Sequence, residues 1–455
     1  MSLPPTHARW VDARALQGAL AHCRTLLDTW TLLGHIAGKG GARRLQLALE
    51  DRPEPVPHHS APVAPRLLPV DALLRQGKVS EAAATLVAPV SKPSAADAQA
   101  VLASSFGDAA DPIAAPIPAA GPSFVRRDQG DDADWQRLVN DQLGDMTSTA
   151  FDLAGTTSAH LHHLPLTLLA GLVDDAIACR DPSPLSDVRL TLIRKPSGGW
   201  RPIGVGHALA ILTKKVAATS LTRSARRILQ GRGAYTLVPD GCRQLVSQLR
   251  KAVDDGFQII ALDIRDAFCQ ISRDAVVRQI AADIPVMEGF VRAVLQPNQV
   301  QVRCEDLSVH STRCTQGLIQ GCPMSSTLFS LVLSRITAQV VEECGGGLLG
   351  CGLLEGKSLV VGSYADDIFI AAKTEDAAND LMLKLDLALA EVGLSLAMPK
   401  TRMVGATTWS LLDSDIVPQP AHKLLGIPIG DHAACTRLLL ERFAEVADFL
   451  DAVSA

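Results

Sequence analysis

The stretch Leu359-Val360-Val361-Gly362-Ser363-Tyr364-Ala365-Asp366-Asp367-Ile368-Phe369-Ile370-Ala371-Ala372 decides the fold. Leu359 to Gly362 and Ile368 to Ala372 are apolar strand segments, and Tyr364-Ala365-Asp366-Asp367 lies between them. The pattern predicts a β-hairpin that presents Asp366 and Asp367 at its tip. Two like charges held side by side between buried strands repel each other unless a cation sits between them. A divalent ion of the Mg²⁺ type, bound by one or two carboxylates plus substrate phosphates, is the usual answer. A solvated Asp-Asp turn is the competing reading, and the rest of the chain decides between the two.

A two-metal phosphoryl-transfer site needs a third carboxylate, best placed at the end of another buried strand. Phe257-Gln258-Ile259-Ile260-Ala261-Leu262 runs into Asp263 and is followed by Ile264-Arg265-Asp266-Ala267-Phe268. Asp263 and Asp366 are 103 residues apart, so only tertiary folding can bring them together. Further upstream, Lys195 and Arg201 flank Pro196-Ser197-Gly198-Gly199-Trp200, a turn that places both cations at one end of a hairpin. Arg clamps phosphate bidentately and Lys acts as a point charge, so the pair suits a triphosphate. Gly317 and Gly321 bracket Gln320, and Pro323 precedes a predicted helix over Met324 to Val340. Thr374 is placed to cap a helix with Leu381, Leu385, Ala388 and Val392 on its buried face, ending at Gly393.

Taken in order, these blocks resemble the reverse transcriptase domain of non-LTR (LINE-type) retrotransposons, from about Thr191 to Gly430. LIRKPSGGWRPIGV (Leu192 to Val205) is similar to the fingers hairpin, and IIALDIRDAF (Ile259 to Phe268) to the first palm strand. QGLIQGCPMSSTLFSLVL (Gln316 to Leu333) is similar to the turn and helix beneath template and nucleotide. GLSLAMPKT (Gly393 to Thr401) and HKLLGIPIG (His422 to Gly430) are similar to the last palm strands and the primer grip.

The resemblance implies an α+β right-hand polymerase with fingers and an RRM-like palm. It also implies RNA-templated DNA synthesis from a DNA primer, using dNTPs and two Mg²⁺ (or Mn²⁺) ions. Asp263, Asp366 and Asp367 would hold the metals, and Lys400 would serve the leaving pyrophosphate. Ala397 replaces the Asn usual three residues before that lysine. Lys195, Arg201, Phe268, Gln320 and Gly321 would contact the nucleotide, with the Phe268 ring excluding a 2′-hydroxyl. Leu425 and Gly426 would belong to the primer grip. A catalytically silent RNA-binding descendant is the alternative from another class, and a group II intron or telomerase-type enzyme the nearer one.

Composition agrees without specifying function. The chain has 455 residues, 47% of them hydrophobic, room for two or three domains. No apolar run approaches membrane-spanning length and MSLPPTHARW carries no signal-peptide core, so an intracellular, nuclear location and no membrane contact are expected. Ten cysteines occur without a Cys-x-x-Cys pair, which argues against a zinc module. The net charge is −5, yet Val188 to Pro239 contains no Asp or Glu and ten cations. Of these, Lys214, Lys215, Arg223, Arg226, Arg227 and Arg232 are expected to meet template phosphates.

Leu16, Leu20, Cys23, Leu27 and Trp30 mark one face of a helix in an N-terminal segment, 1–52. A Pro-rich linker (53–65), a short helical segment (66–110, with helices over Val70 to Leu86) and a second linker (111–123) follow. A helical lead-in (124–190), fingers (191–256) and palm (257–433, with some finger elements inserted) come next. Residues 434–455 are expected to be the start of a thumb or a truncated C-terminus, so that little or no thumb is expected.

Overall fold

The computed structural model describes residues 93–106, 123–146, 152, 156–178, 187–195, 198–350, 356–438 and 440–441. The helices expected over Leu16–Trp30 and Val70–Leu86 and the linkers at 53–65 and 111–122 lie outside these residues. In chain order, helices α1 (Ala95–Ser105), α2 (Asp132–Gly144) and α3 (Leu166–Ile177) lead to strands β1 (Val188–Arg194) and β2 (Trp200–Gly206). Helices α4 (Ala208–Gly231) and α5 (Gly241–Asp254), strand β3 (Gln258–Leu262) and helices α6 (Ala267–Gln270) and α7 (Arg273–Asp283) follow. Next come β4 (Asn298–Arg303), β5 (Val309–Cys314), α8 (Ser325–Glu343), β6 (Gly347–Leu348), β7 (Leu359–Tyr364), β8 (Asp367–Ala372) and α9 (Glu375–Ala390). The described chain closes with β9 (Arg402–Val404), β10 (Trp409–Leu411), β11 (Ser414–Ile416), β12 (Ala421–Leu424) and β13 (Ile427–Gly430). Residues 432–438 are helical again.

A five-stranded sheet of order β6-β7-β8-β3-β9 forms the centre. Its strands read as unbroken apolar runs because helices or a hairpin cover both faces, and successive side chains point to opposite sides. Ile260 and Leu262 of β3, Ile368 and Ile370 of β8, and Leu359 and Val361 of β7 enter one core with Phe329 of α8 and Leu381, Leu385 and Leu389 of α9. Ile259, Phe369, Ala371 and Val360 enter a second core with Leu245 and Leu249 of α5 and Leu424 and Ile429 of β12–β13. The expected Thr374 cap is present: its side chain accepts from the Ala377 N–H at 3.4 Å.

A four-stranded sheet of order β2-β1-β4-β5 stands apart from the first, with β1 parallel to β4. Helix α1 packs Val101, Leu102 and Phe106 against Leu190, Leu192, Val300 and Val302 of that sheet. The Ser94 hydroxyl accepts from Asp97 N–H at 3.1 Å and fixes where α1 begins. Trp135 of α2, 2% exposed, donates from its indole N–H to the Ala170 carbonyl of α3 at 3.1 Å. No helix among the described residues is long and apolar enough to cross a membrane.

Candidate active site

Three carboxylate residues stand at one end of β3 and β8. The two strands are antiparallel, and their ladder ends at Leu262↔Ile368. One step further stand Asp263, just beyond β3, and Asp367, at the start of β8, with Asp366 in the adjoining turn. Strands β7 and β8 pair from Leu359↔Ala372 to Tyr364↔Asp367, leaving Ala365 and Asp366 as the two turn residues. Ala365 has φ +55°, a left-handed conformation that a Cβ disfavours. Its N–H donates to Thr236 Oγ1 at 2.8 Å, and the neighbouring Tyr235 N–H donates to the Ser363 carbonyl at 2.9 Å. The loop after α4 thus braces the hairpin tip. Nothing in the sequence singled out Thr236, a half-buried hydroxyl in an otherwise unpatterned turn.

The electrostatics follow from the crowding. Burial, then repulsion from Asp366 and from Asp263, pushes the Asp367 carboxyl up to about 6. Asp366 is also raised, by burial first and by Asp263, while Arg201 and Lys400 pull it partly back. The Asp263 backbone carbonyl accepts from Ala397 N–H at 2.8 Å, which delivers the short turn Met398–Lys400 to the site. Lys400 Nζ then lies 2.6 Å from Asp263 Oδ2. Among the described residues no three His, Cys, Asp or Glu side chains are gathered closely enough to enclose a metal. The hard oxygens of Asp366 and Asp367, whose ionisation burial and neighbouring charge oppose, nevertheless suit Mg²⁺ or Mn²⁺. Such ions need only one or two protein carboxylates because they keep water and phosphate ligands.

Around the carboxylates, Phe268 lies in α6, directly after the Asp263 turn. It is half-buried, with its ring stacked on Phe329 at 4.9 Å between centroids and 29° between planes. Its carbonyl accepts from Leu318 N–H at 2.6 Å. Gly317 has φ +75°, and a Cβ there would fall 2.3 Å from the Cys269 carbonyl oxygen, so only glycine permits this approach. Gln320 and Gly321 pack on the other sheet. The Gly204 N–H of β2 donates to the Gln320 carbonyl at 2.6 Å, and a Cβ on Gly321 would lie 2.7 Å from the Gly204 oxygen. Lys195 and Arg201 share the tip of the β1–β2 hairpin, where Ile193 pairs with Arg201 and Lys195 N–H donates to the Gly199 carbonyl at 3.0 Å. Leu425 and Gly426 form the two-residue turn of β12–β13, both with positive φ (51° and 79°).

The basic stretch needs correction. Lys214 is 6% exposed and inside the fold, so no template phosphate can reach it. It falls on the buried phase of α4, three and seven residues before the buried Ala217 and Leu221, a periodicity that outranks its charge. Arg232 is engaged in a bidentate pair with Asp283, both contacts 2.7 Å, and Lys215 Nζ donates to the Asp145 carbonyl at 3.3 Å. Arg223, Arg226 and Arg227 remain exposed on α4.

The profile of the family described as reverse transcriptase (RNA-dependent DNA polymerase) matches residues 193–429. The retrotransposable element SLACS 132 kDa protein of Trypanosoma brucei gambiense is 24% identical over 201 residues, covering 43% of this chain and 16% of that protein. The retrovirus-related Pol polyprotein from type-1 retrotransposable element R2 of Nasonia vitripennis is 22% identical over 289 residues, covering 58% of this chain and 27% of that one. The chain therefore spans about a quarter or less of the length of these curated relatives. Among solved structures, telomerase from Candida albicans in complex with a telomeric RNA fragment aligns with a TM-score of 0.40 and 12% identity, covering 55% of this chain and 45% of that one.

Proposed function

The chain belongs to the reverse transcriptase (RNA-dependent DNA polymerase) family, and from that premise we propose that it extends a DNA primer on an RNA template as the polymerase of a non-LTR retrotransposon. The observation that carries this reading is that Asp263 and Asp367 stand opposite each other just beyond the β3–β8 ladder with Asp366 in the adjoining turn, where the charges of Arg201 and Lys400 act on Asp366. Divalent ions held there would supply Lewis-acid activation of the primer 3′-hydroxyl and charge neutralisation of the triphosphate. Phosphoryl transfer asks little covalent chemistry of the protein, so the remaining parts position and screen.

Lys195 and Arg201 hold the triphosphate from the fingers tip. Gln320 and Gly321 support the base from a turn locked to β2, and the half-buried Phe268 limits space at the sugar. Lys400 shifts from Asp263 to the pyrophosphate as the site fills. Arg223, Arg226 and Arg227 offer the template strand its phosphate contacts, and the Leu425–Gly426 turn meets the primer. The fold is an α+β right-hand polymerase, with 191–256 as fingers and 257–433 as palm.

Primer extension on poly(rA)/oligo(dT) with Mg²⁺ or Mn²⁺ tests the proposal. The unaltered chain should make DNA, and Asp366→Asn should abolish synthesis while leaving the unfolding transition cooperative. Extension by that variant at near-parental rate would overturn the metal assignment. RNA binding without extension by the unaltered chain would instead favour the silent RNA-binding reading.

A further inference from the structure

Beneath the turn that carries Gln320 lies a cavity of about 30 Å³, room for one water-sized occupant. Lys214, Arg273 and Asn298 line it together with Gly317 and Cys322 of the turn, and among the described residues no Asp or Glu does. Arg273 is 4% exposed. Its guanidinium donates to the carbonyls of Gly317 (2.9 Å), Leu295 (3.2 Å), Gln296 (3.0 Å) and Cys314 (3.1 Å). It also donates to Asn298 Oδ1 (3.0 Å) and Cys314 Sγ (2.9 Å). Every one of these acceptors is neutral. The Cys314 thiol directs its own proton to the Gln316 carbonyl at 3.1 Å, and burial pushes its ionisation up, so it supplies no negative charge.

Guanidinium does not deprotonate in proteins, and buried charges are ordinarily paired. Asn298 adds a second sign of something missing. It is 5% exposed, its oxygen is committed to Arg273, and its buried Nδ2 meets no acceptor among the described residues. Lys214, whose protonation burial opposes, brings a second basic group to the same wall.

The geometry points to a binding site for a small monovalent anion of halide size, seated between Asn298, Lys214 and Arg273. The anion accepts from Asn298 Nδ2 and balances the buried positive charge. A water molecule would satisfy the amide but leave the guanidinium uncompensated, and a phosphate is too large for the space. Because α4, α7, β4 and the Gln320 turn each contribute a wall, the anion fastens that turn from below. This inference stands independently of the polymerase reading.

The test is thermal unfolding of the nucleic-acid-free chain in sodium glutamate, chloride and bromide at one fixed ionic strength. Chloride and bromide should raise Tm saturably, by about 2 °C at tenfold excess over Kd. Glutamate, too large to enter, should not. Asn298→Asp places a carboxylate where Arg273 already bonds, so this variant should keep its Tm in glutamate and lose the halide response. Lys214→Met should weaken the response. Crystals grown with bromide should show an anomalous peak in the cavity. Equal Tm in all three salts, or an undiminished halide response in Asn298→Asp, would overturn the proposal and leave the cavity to water.

Discussion

Asp367→Asn should make the metal-free protein more stable at neutral pH, although it alters a residue we place in the active site. Burial and two neighbouring carboxylates lift the Asp367 carboxyl from its ordinary 3.8 to about 6. At ~1.36 kcal/mol per pH unit, that rise sets an upper bound of ~3 kcal/mol on the penalty for ionising it in the folded state. The group is only half-buried, and solvent screening reduces the figure to ~1–2 kcal/mol. The sign follows from comparing the two states. Below pH ~4 the carboxyl is protonated whether folded or not, and it contributes nothing. Between ~4 and ~6 the unfolded chain releases the proton first, so stability falls as pH rises, and above ~6 the full penalty is present. Urea unfolding in EDTA should therefore show the Asn variant ahead by ~1–2 kcal/mol at pH 7.5, with unchanged m-value, and level with the parent near pH 4. Millimolar Mg²⁺ should close the gap by stabilising the parent. Equal stability at pH 7.5, or a gain that does not change with pH, would refute the account of crowded carboxylates.

Three further outcomes are expected. Phe268→Val should raise ribonucleotide use relative to dNTP use in side-by-side extension, whereas unchanged selectivity would remove the ring from sugar discrimination. Lys400→Met should tighten Mn²⁺ binding to the nucleic-acid-free protein, read by calorimetry, because the metal no longer displaces an ammonium from Asp263. An ion pair this open to solvent is worth ~0.2–1 kcal/mol, a gain of about 1.4- to 5-fold. Neutralising Arg223, Arg226 or Arg227 singly should lower the salt dependence of RNA binding by up to about one phosphate's worth each, measured as the slope of log K against log salt. Lys214→Met should leave that slope unchanged.

The sequence carried the central sheet clearly because its strands are buried on both sides. Ile259-Ile260-Ala261-Leu262 and Ile368-Phe369-Ile370-Ala371 have no solvent face to break their apolar runs, and a carboxylate directly beyond such a run stands out. The placing of Asp263 and Asp367 just beyond the paired ends of β3 and β8 was legible for the same reason. What was not legible depends on register and on helix phase. Lys214 read as one more cation in a basic run, and only its phase against Ala217 and Leu221 shows that it turns inward. Arg232 pairs with Asp283, 51 positions later in the chain, a distance at which local patterns say nothing. The Thr236 brace on Ala365 rests on one hydrogen bond between segments 129 residues apart, and serine or threonine in a turn carries no distinguishing mark.

The contact among Gly204, Gln320 and Gly321 bears on how the enzyme would move. Fingers and turn touch there backbone to backbone, and a Cβ built on Gly204 would already lie 2.1 Å from Ile319 Cγ2. Where backbone meets backbone this closely, little soft layer is left in which the two could slide. The Gln320 turn is also held from its other side, where Leu318 N–H donates to the Phe268 carbonyl and Gly317 N–H to the Ile271 carbonyl. The turn is therefore a rigid rivet between the fingers sheet and the segment just beyond Asp263. A displacement of the fingers would be felt at the carboxylate end of β3 through backbone contacts alone.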